Sequence, residues 1–352
     1  KINQEAISYR GKKVYAGIDV HKKTYSVTVI CGTEIVARDT MQASPDGLGR
    51  YLKKRFLGAQ IFSVYEAGFS GFGLHRKLVK LGVRNIVINA ASLQTAANDK
   101  VKTDKRDSKK LAEQLKDGRL KAIHIPSVEQ ELKRVLTRTR EQVVRHRARV
   151  ATQIKSKLHY FGLIKCDDDN KPMSKAYLKR IERQELPEEL VYCLQLLGEQ
   201  WKFLTMKLKE IADKIAKQAK GDKDLEKVYR SVPGVGSVSS RVLSNELGNL
   251  AERFHNERAL FSFTGLTPGE HSSGDSVHKG NISRQGSSRI RKYLTEIAWR
   301  AVGKDVALAE IFDRIAKTRG KKRAIVAIAR KIIGRMRACF RQECLYQVGV
   351  YA

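Results

Sequence analysis

The chain is poor in aromatic residues, at 7% of its 352 positions, and its Asp and Glu are outnumbered by Lys and Arg, 37 against 69. Nor does it contain an apolar run of about 18 residues. No signal-peptide or lipidation pattern is recognisable, and membrane attachment is therefore disfavoured. Cysteines are few, odd in number and scattered: Cys31, Cys166, Cys193, Cys339 and Cys344. They read as reduced thiols in a cytoplasmic protein. Cys339 and Cys344 lack a second pair of ligands, which argues against a zinc site. The stretch GVGSVSS lacks the GK[ST] ending of a nucleotide-binding Walker loop. No zinc finger, ribbon of aromatic stackers or obvious major-groove reading helix is present either. What remains is a net charge of +32. Such an imbalance favours a polyanionic partner, because each phosphate neutralised by a basic side chain releases counterions. Nucleic acid is the first expectation.

Within this basic chain, four acidic residues organise the first third. Asp19 lies in the strand-like run VYAGIDV, Glu66 near the end of IFSVYEA, and Asp104 and Asp107 open the helical stretch TDKRDSKKLAEQL. Alternating apolar residues mark the first two positions as strand ends. Asp104 and Asp107 are three residues apart and share one face of a helix. Carboxylates brought to within about 4 Å of each other repel by roughly 4 kcal/mol per pair at an effective dielectric near 20. Gathering four of them therefore requires a cation, and their hard oxygens suit Mg²⁺ or Mn²⁺. The plainer alternative is that Asp104 caps its helix, Asp107 joins a solvated charge pattern, and Asp19 and Glu66 merely end strands.

The fold class expected is α/β plus α. VYAGIDV, TYSVTVI and EIVARDT form three successive strands, followed by a helix over Pro45–Lys54, the strand IFSVYEA, a helix over Leu74–Leu81 and the strand NIVINA. The order βββαβαβα is that of a ribonuclease H-like domain, in which a central first strand brings Asp19 beside Glu66. From about Ser127 long apolar-striped helices follow, and a second run covers about Glu188 to Ala219. They are expected to pair as an antiparallel or intersubunit coiled coil that mediates oligomerisation. The expected domains are residues 1–123, 124–222 and 223–352. In the last, SVPGVGSVSSRVLSNELGN reads as a helix-hairpin-helix-like element whose Gly234 and Gly236 N–H groups could hold a phosphate. An ordinary turn between helices is the alternative. Arg284, Arg289, Arg291, Lys292, Lys321, Lys322 and Arg323 are candidate nucleic-acid contacts.

Taken jointly, GIDVHKK, YEAG, KTDKRDSKKLAE, VPGVG and FTGLTPGEHSSG resemble the DEDD transposases of the insertion-sequence 110/1111 class, recombinases similar to the Piv invertases and guided by a structured element-encoded RNA. The resemblance covers nearly the whole chain. It implies a RuvC-like domain with Asp19, Glu66, Asp104 and Asp107 as metal ligands, a coiled-coil dimerisation region, and a mostly helical C-terminal transposase domain. It also implies a serine nucleophile a few residues beyond LTP and directly before a glycine. That position is Ser273, with Ser272 and Ser276 close enough to be alternatives. Expected partners are DNA, a guide RNA that reads the target by base pairing, and further copies of the chain, as a dimer and as a tetramer in the synaptic complex. The expected setting is the prokaryotic cytoplasm, in association with the nucleoid.

A serine hydroxyl needs help to lose its proton. Attack on a phosphodiester would link DNA to Ser273 and conserve the bond for rejoining. Ser273 lies over 160 residues beyond Asp107, so the expected active site is composite, assembled by domain docking or from two subunits. Three other readings compete. A junction-resolving endonuclease would use metal-activated water, a non-catalytic scaffold would use the acids structurally, and a sugar-kinase or actin-like fold would share the GID strand.

Overall fold

The computed structural model describes residues 8–94, 103–164, 171–270 and 279–350. The chain divides into two compact units, Lys1–Pro126 and Ser127–Ala352. No helix among the described residues is long and apolar enough to cross a membrane.

The first unit is built on a five-stranded sheet of β1 (Lys13–Val20), β2 (Thr24–Cys31), β3 (Glu34–Gln42), β4 (Gln60–Glu66) and β5 (Arg84–Ile88), in the order β3-β2-β1-β4-β5. β1 is antiparallel to β2 and parallel to β4, which is in turn parallel to β5. Alternation sends Val14, Ala16 and Ile18 to one face. There they join Val27 and Val29 of β2 and meet Leu48 and Leu52 of α1 (Pro45–Arg55) and Leu74 and Leu78 of α2 (Gly73–Lys80). Ser44 caps α1 by accepting the Gly47 N–H at 3.0 Å.

The opposite face belongs to α3 (Asp104–Lys116), and Gly17 explains how closely it sits. A Cβ added there would lie 2.5 Å from the Ala112 nitrogen and 2.9 Å from Leu111 Cβ, and would also collide with the Ser108 carbonyl oxygen. Only a residue without a side chain admits the helix backbone at that distance. The contact is pinned by a buried 2.8 Å hydrogen bond between the Ser108 and Thr28 hydroxyls, and by Leu111 packing on Val64 and Ile88. Thr103, not Asp104, caps the helix, accepting the Arg106 N–H. Asp104 is therefore free to project from the first turn.

The second unit contains α4 (Val128–Tyr160), α5 (Lys175–Glu182) and α6 (Glu188–Ala219). α4 and α6 run antiparallel: the Arg147 guanidinium lies over the Trp201 ring, and Lys133 reaches Asp222 at 3.0 Å just beyond the end of α6. Val150, Ile154 and Leu158 close the other end against Leu190 and Leu194. After these come α7 (Lys223–Ser231), α8 (Ser237–Leu247), α9 (Leu250–Arg253) and α10 (Glu257–Thr264), then the hairpin of β6 (Pro268–Glu270) and β7 (Lys279–Ile282). Helices α11 (Ser288–Val302), α12 (Val306–Arg319) and α13 (Lys321–Gln342) complete the unit, with α13 at its centre through Ile325, Ile328, Ile332 and Met336.

The first half of α4 is joined to α8 by charge. Glu246, its side chain only 7% exposed, accepts hydrogen bonds from Arg138 Nε and Nη2 at 2.7 and 2.8 Å, with Arg289 Nη1 at 3.6 Å and Arg134 Nε at 3.7 Å. Burial opposes ionisation of Glu246. The Arg138 hydrogen bonds and the charges of Arg138, Arg134 and Arg289 outweigh it and hold the carboxyl below the usual glutamate range.

Two predictions follow from this packing. Gly17→Ala should cost roughly 1–3 kcal/mol in urea unfolding through overpacking, whereas Gly73→Ala, where an added Cβ meets nothing within 4 Å, should stay within about 0.5 kcal/mol. Glu246→Gln should cost roughly 1–3 kcal/mol at pH 7 by removing the negative charge that compensates Arg134, Arg138 and Arg289. Because the folded carboxyl titrates below the unfolded one, its stabilisation is present above a pH of about 4.3 and is lost as pH falls through the folded value. Unfolding of the Gln variant followed from pH 6 to 3 should therefore show a shallower acid loss than the parent chain.

Candidate metal centre and nucleic-acid surface

Asp19 is the penultimate residue of β1. In the register Ile18↔Tyr65, the next positions along the two parallel strands are Asp19 and Glu66. Register neighbours share a face, and for this pair it is the face of Gly17 and Val64, the one covered by α3. The close approach at Gly17 thus carries the first turn of α3 to the end of β1. Asp104 comes within reach of Asp19 there, although the two lie 85 positions apart (104 − 19).

His21, two residues beyond Asp19, stands between these carboxylates. Its Nε2 is 3.1 Å from Asp19 Oδ2 and 3.3 Å from Asp104 Oδ2. Asp19, His21 and Asp104 each offer a ligand atom, all within 4.8 Å of one another, and they form the metal-compatible group among the described residues. Burial, joined by the negative charges of Asp104 and Asp107, raises the Asp19 carboxyl above its ordinary value against the opposing pull of His21. Asp107 therefore acts on the centre through its field, and Glu66 borders it from the adjacent strand. The group of ligand atoms that lie together contains neither Asp107 nor Glu66. Sequence reasoning passed over His21, whose signal was its place immediately after the strand that delivers Asp19. The donors fit a hard divalent cation: two carboxylate oxygens, an imidazole nitrogen and an excess of negative charge. Side-chain exposures of 23%, 44% and 58% for Asp19, His21 and Asp104 make the centre an open one, accessible to a polymer rather than enclosed around a small molecule.

Ser273 and its alternatives Ser272 and Ser276 lie outside the described residues, between β6 and β7. Of the basic candidates, Arg289 pairs with Glu141 at 2.7 Å, and Arg291 donates to the Thr264 carbonyl at 3.0 Å. Both groups hold the unit together. Lys292 is well exposed and 3.9 Å from Glu296. Lys321, Lys322 and Arg323 are exposed at the start of α13. Arg284 sits at a positive φ of 56°.

The glycine-rich turn is also more occupied than its sequence suggests. Gly236 donates its N–H to the Ser239 hydroxyl at 2.8 Å, so that group is not available to a phosphate. Gly234, at φ 86°, is pressed onto α11, where an added Cβ would meet the Ile297 carbonyl oxygen at 2.8 Å.

Ionised Asp19 is costly in the folded chain, so a divalent cation should stabilise it. Saturating Mn²⁺ or Mg²⁺, at about 100 times its dissociation constant, should add roughly 2.7 kcal/mol, read as a rise in the thermal midpoint. Asp19→Asn should be at least as stable as the parent without cation at pH 7, and should lose the cation-dependent rise.

Comparison with known proteins finds transposases. A profile for transposases of the DEDD IS110 type matches residues 16–161, a span holding all four acids and His21. A second, described as transposase IS116/IS110/IS902 family, matches residues 226–312, from within α7 through α11 and into α12. A Sinorhizobium fredii transposase, y4qE, is 27% identical across 94% of this chain and 89% of its own length. The transposase of insertion element IS1111A from Coxiella burnetii is 26% identical, with coverages of 70% and 69%. The transposase of IS1533 from Leptospira borgpetersenii is 35% identical over a shorter stretch, 31% of this chain and 32% of its own. With both profiles matched in order along one chain, and with relatives that align over most of its length, the protein belongs to the IS110 family of DEDD transposases.

Proposed function

We propose that this transposase cleaves and rejoins DNA through a composite chemistry, with a divalent-cation site around Asp19 and a serine nucleophile at Ser273. The observation that carries the reading is the meeting of Asp19 and Asp104 at the end of the central strand. Acids from two distant segments converge at the middle strand of the order β3-β2-β1-β4-β5, which supports reading the unit as a ribonuclease H-like (RuvC-like) nuclease domain. Asp19 and Asp104, with His21 beside them and Glu66 and Asp107 near, would hold Mg²⁺ or Mn²⁺. A cation bound there supplies charge neutralisation at a phosphodiester.

The chain's own groups do the rest. The Ser273 hydroxyl attacks phosphorus, the Oγ–P bond forms, and the bond from phosphorus to the 3′ oxygen breaks. The leaving oxygen takes up a proton as a free 3′ hydroxyl, while the serine proton passes to a base or solvent. The 5′ phosphate stays on the protein, and reversal of the same steps rejoins the strand without ATP. Exposed cations on the second unit position the backbone, which carries no sequence information by itself. Target selection is assigned to base pairing with a bound guide RNA.

Assembly into a dimer, and into a tetramer at synapsis, is supported by α6. Besides the residues it packs against α4, it exposes Tyr192, Leu196, Phe203 and Met206 at steps of four, seven and three residues. That is the spacing of a second apolar seam, suited to a coiled-coil partner from another copy.

Ser273→Ala should abolish a covalent protein–DNA adduct, with a fall in strand transfer on the order of 10³-fold or more, while Ser272→Ala and Ser276→Ala retain the adduct. The measurement is denaturing electrophoresis of end-labelled DNA after protease treatment. Free 5′ phosphates with no adduct would instead assign the chemistry to activated water.

A further inference from the structure

The stem of the β6–β7 hairpin and the α12–α13 helix pair enclose a cavity of about 740 Å³ in the second unit. Its floor is apolar, with Leu266, Ile282, Ile315 and Val326. Its walls carry Arg284, Arg314, Arg319, Lys322, Arg323 and Arg330, and none of the described residues that line it is acidic.

This clustering contrasts with four arginines gathered at α8. Arg134, Arg138, Arg241 and Arg289 each have an acidic partner within 4 Å. None of the six cavity cations is in an ion pair among the described residues. Crowding like charges without counter-charges disfavours the folded state unless an anion offsets it. Two of the six are also fixed in advance. The Arg330 guanidinium lies over the Phe261 ring, 4.4 Å from its centre, a contact that fixes its position. Arg284 adopts a left-handed backbone, rare for a residue with a side chain. It is held there by its N–H bond to the Gly265 carbonyl, and by Gly286, whose added Cβ would collide with the Phe263 carbonyl oxygen. Such strain is characteristic of ligand clamps.

A cationic wall over an apolar floor suits a ligand with phosphates at its edge and a flat apolar body. The volume lies within the range of small-ligand pockets, about 300–1,000 Å³, too small for a duplex. We propose that the cavity receives one unstacked nucleotide of single-stranded DNA, its base on the Ile282–Val326 floor and its flanking phosphates on Arg319, Lys322 and Arg323. The choice of DNA rests on the proposed reaction: β6 and β7 bracket in sequence the segment that holds Ser273, so a strand seated at their stem is the strand being exchanged. Base–floor contact and phosphate contact together give affinity without sequence readout.

The test uses the full chain and a ten-nucleotide DNA with a central 2-aminopurine, whose fluorescence rises on unstacking. Duplex and RNA of the same sequence serve as comparisons. Wild type should bind the single strand with a fluorescence rise and the duplex without one. Arg319→Ala/Arg323→Ala should weaken single-strand binding at least tenfold, abolish the rise, and lower the slope of log affinity against log salt by about 1.4. Lys209→Ala/Lys217→Ala, which removes equal charge from exposed positions on α6, should change binding less than threefold. Equal weakening by both double variants, or a duplex that binds as well as the single strand, would overturn the site. Weakening confined to RNA would overturn the assignment to DNA. Should the cavity variant fail to fold, photo-crosslinking of a 5-iodouracil oligonucleotide to wild type must mark peptides within 279–284 or 314–330, and marking elsewhere refutes the proposal. Binding is read without cleavage, so an absent serine adduct would sink the proposed reaction while leaving this result interpretable.

Discussion

The contact between the bare backbone of Gly17 and the backbone of α3 is the constraint on which the metal centre depends. An added methyl group at this position would occupy space already filled by Ala112 and Leu111. Because the helix lies that close, its first turn ends at the tip of β1, and Asp104 arrives beside Asp19. The sheet supplies the second part of the geometry through the parallel β1–β4 pairing, which sets Glu66 in the adjoining strand. None of these acids is near another in the chain except Asp104 and Asp107. A glycine with no chemistry of its own therefore decides where the chemistry can be.

The second unit rests on a different principle. Guanidinium groups wrapped around Glu246 make its α4–α8 joint, and the fully buried Arg241, between Asp222 and Glu226, ties α8 to the start of α7. Charges in such a place are favourable only in company, since each alone would carry a large desolvation penalty. The polycationic character of the chain thus has two separate origins. Some arginines are structural and matched by acids, while others, such as those lining the cavity beside β6 and β7, have no acidic partner among the described residues.

Much of the first unit was legible from periodicity. The three opening strands, the helix from Pro45, and the strands around Val64 and Ile86 all fall within a residue or two of their expected limits, because alternation and caps such as Ser44 are local signals. The two long helices were legible for the same reason. The meeting of Asp19 with Asp104 was expected from residue chemistry, and the structure brings those two together. His21 was not foreseen, since a histidine after a strand has no pattern of its own and gains its meaning only from the carboxylates folded around it. Arg289 and Arg291 were read as nucleic-acid contacts because their partners, Glu141 and the Thr264 carbonyl, are distant in sequence. The phosphate-holding role read into Gly236 likewise missed a hydroxyl three residues on that already takes its N–H.

The division between matched and unmatched arginines has a practical side. Ionic strength acts strongly on exposed charges and weakly on enclosed pairs. Salt high enough to strip bound polynucleotide from the outward-facing cations during purification leaves the Glu246 and Arg241 clusters in place. The protein can thus be washed free of its cargo while its helical frame stays assembled.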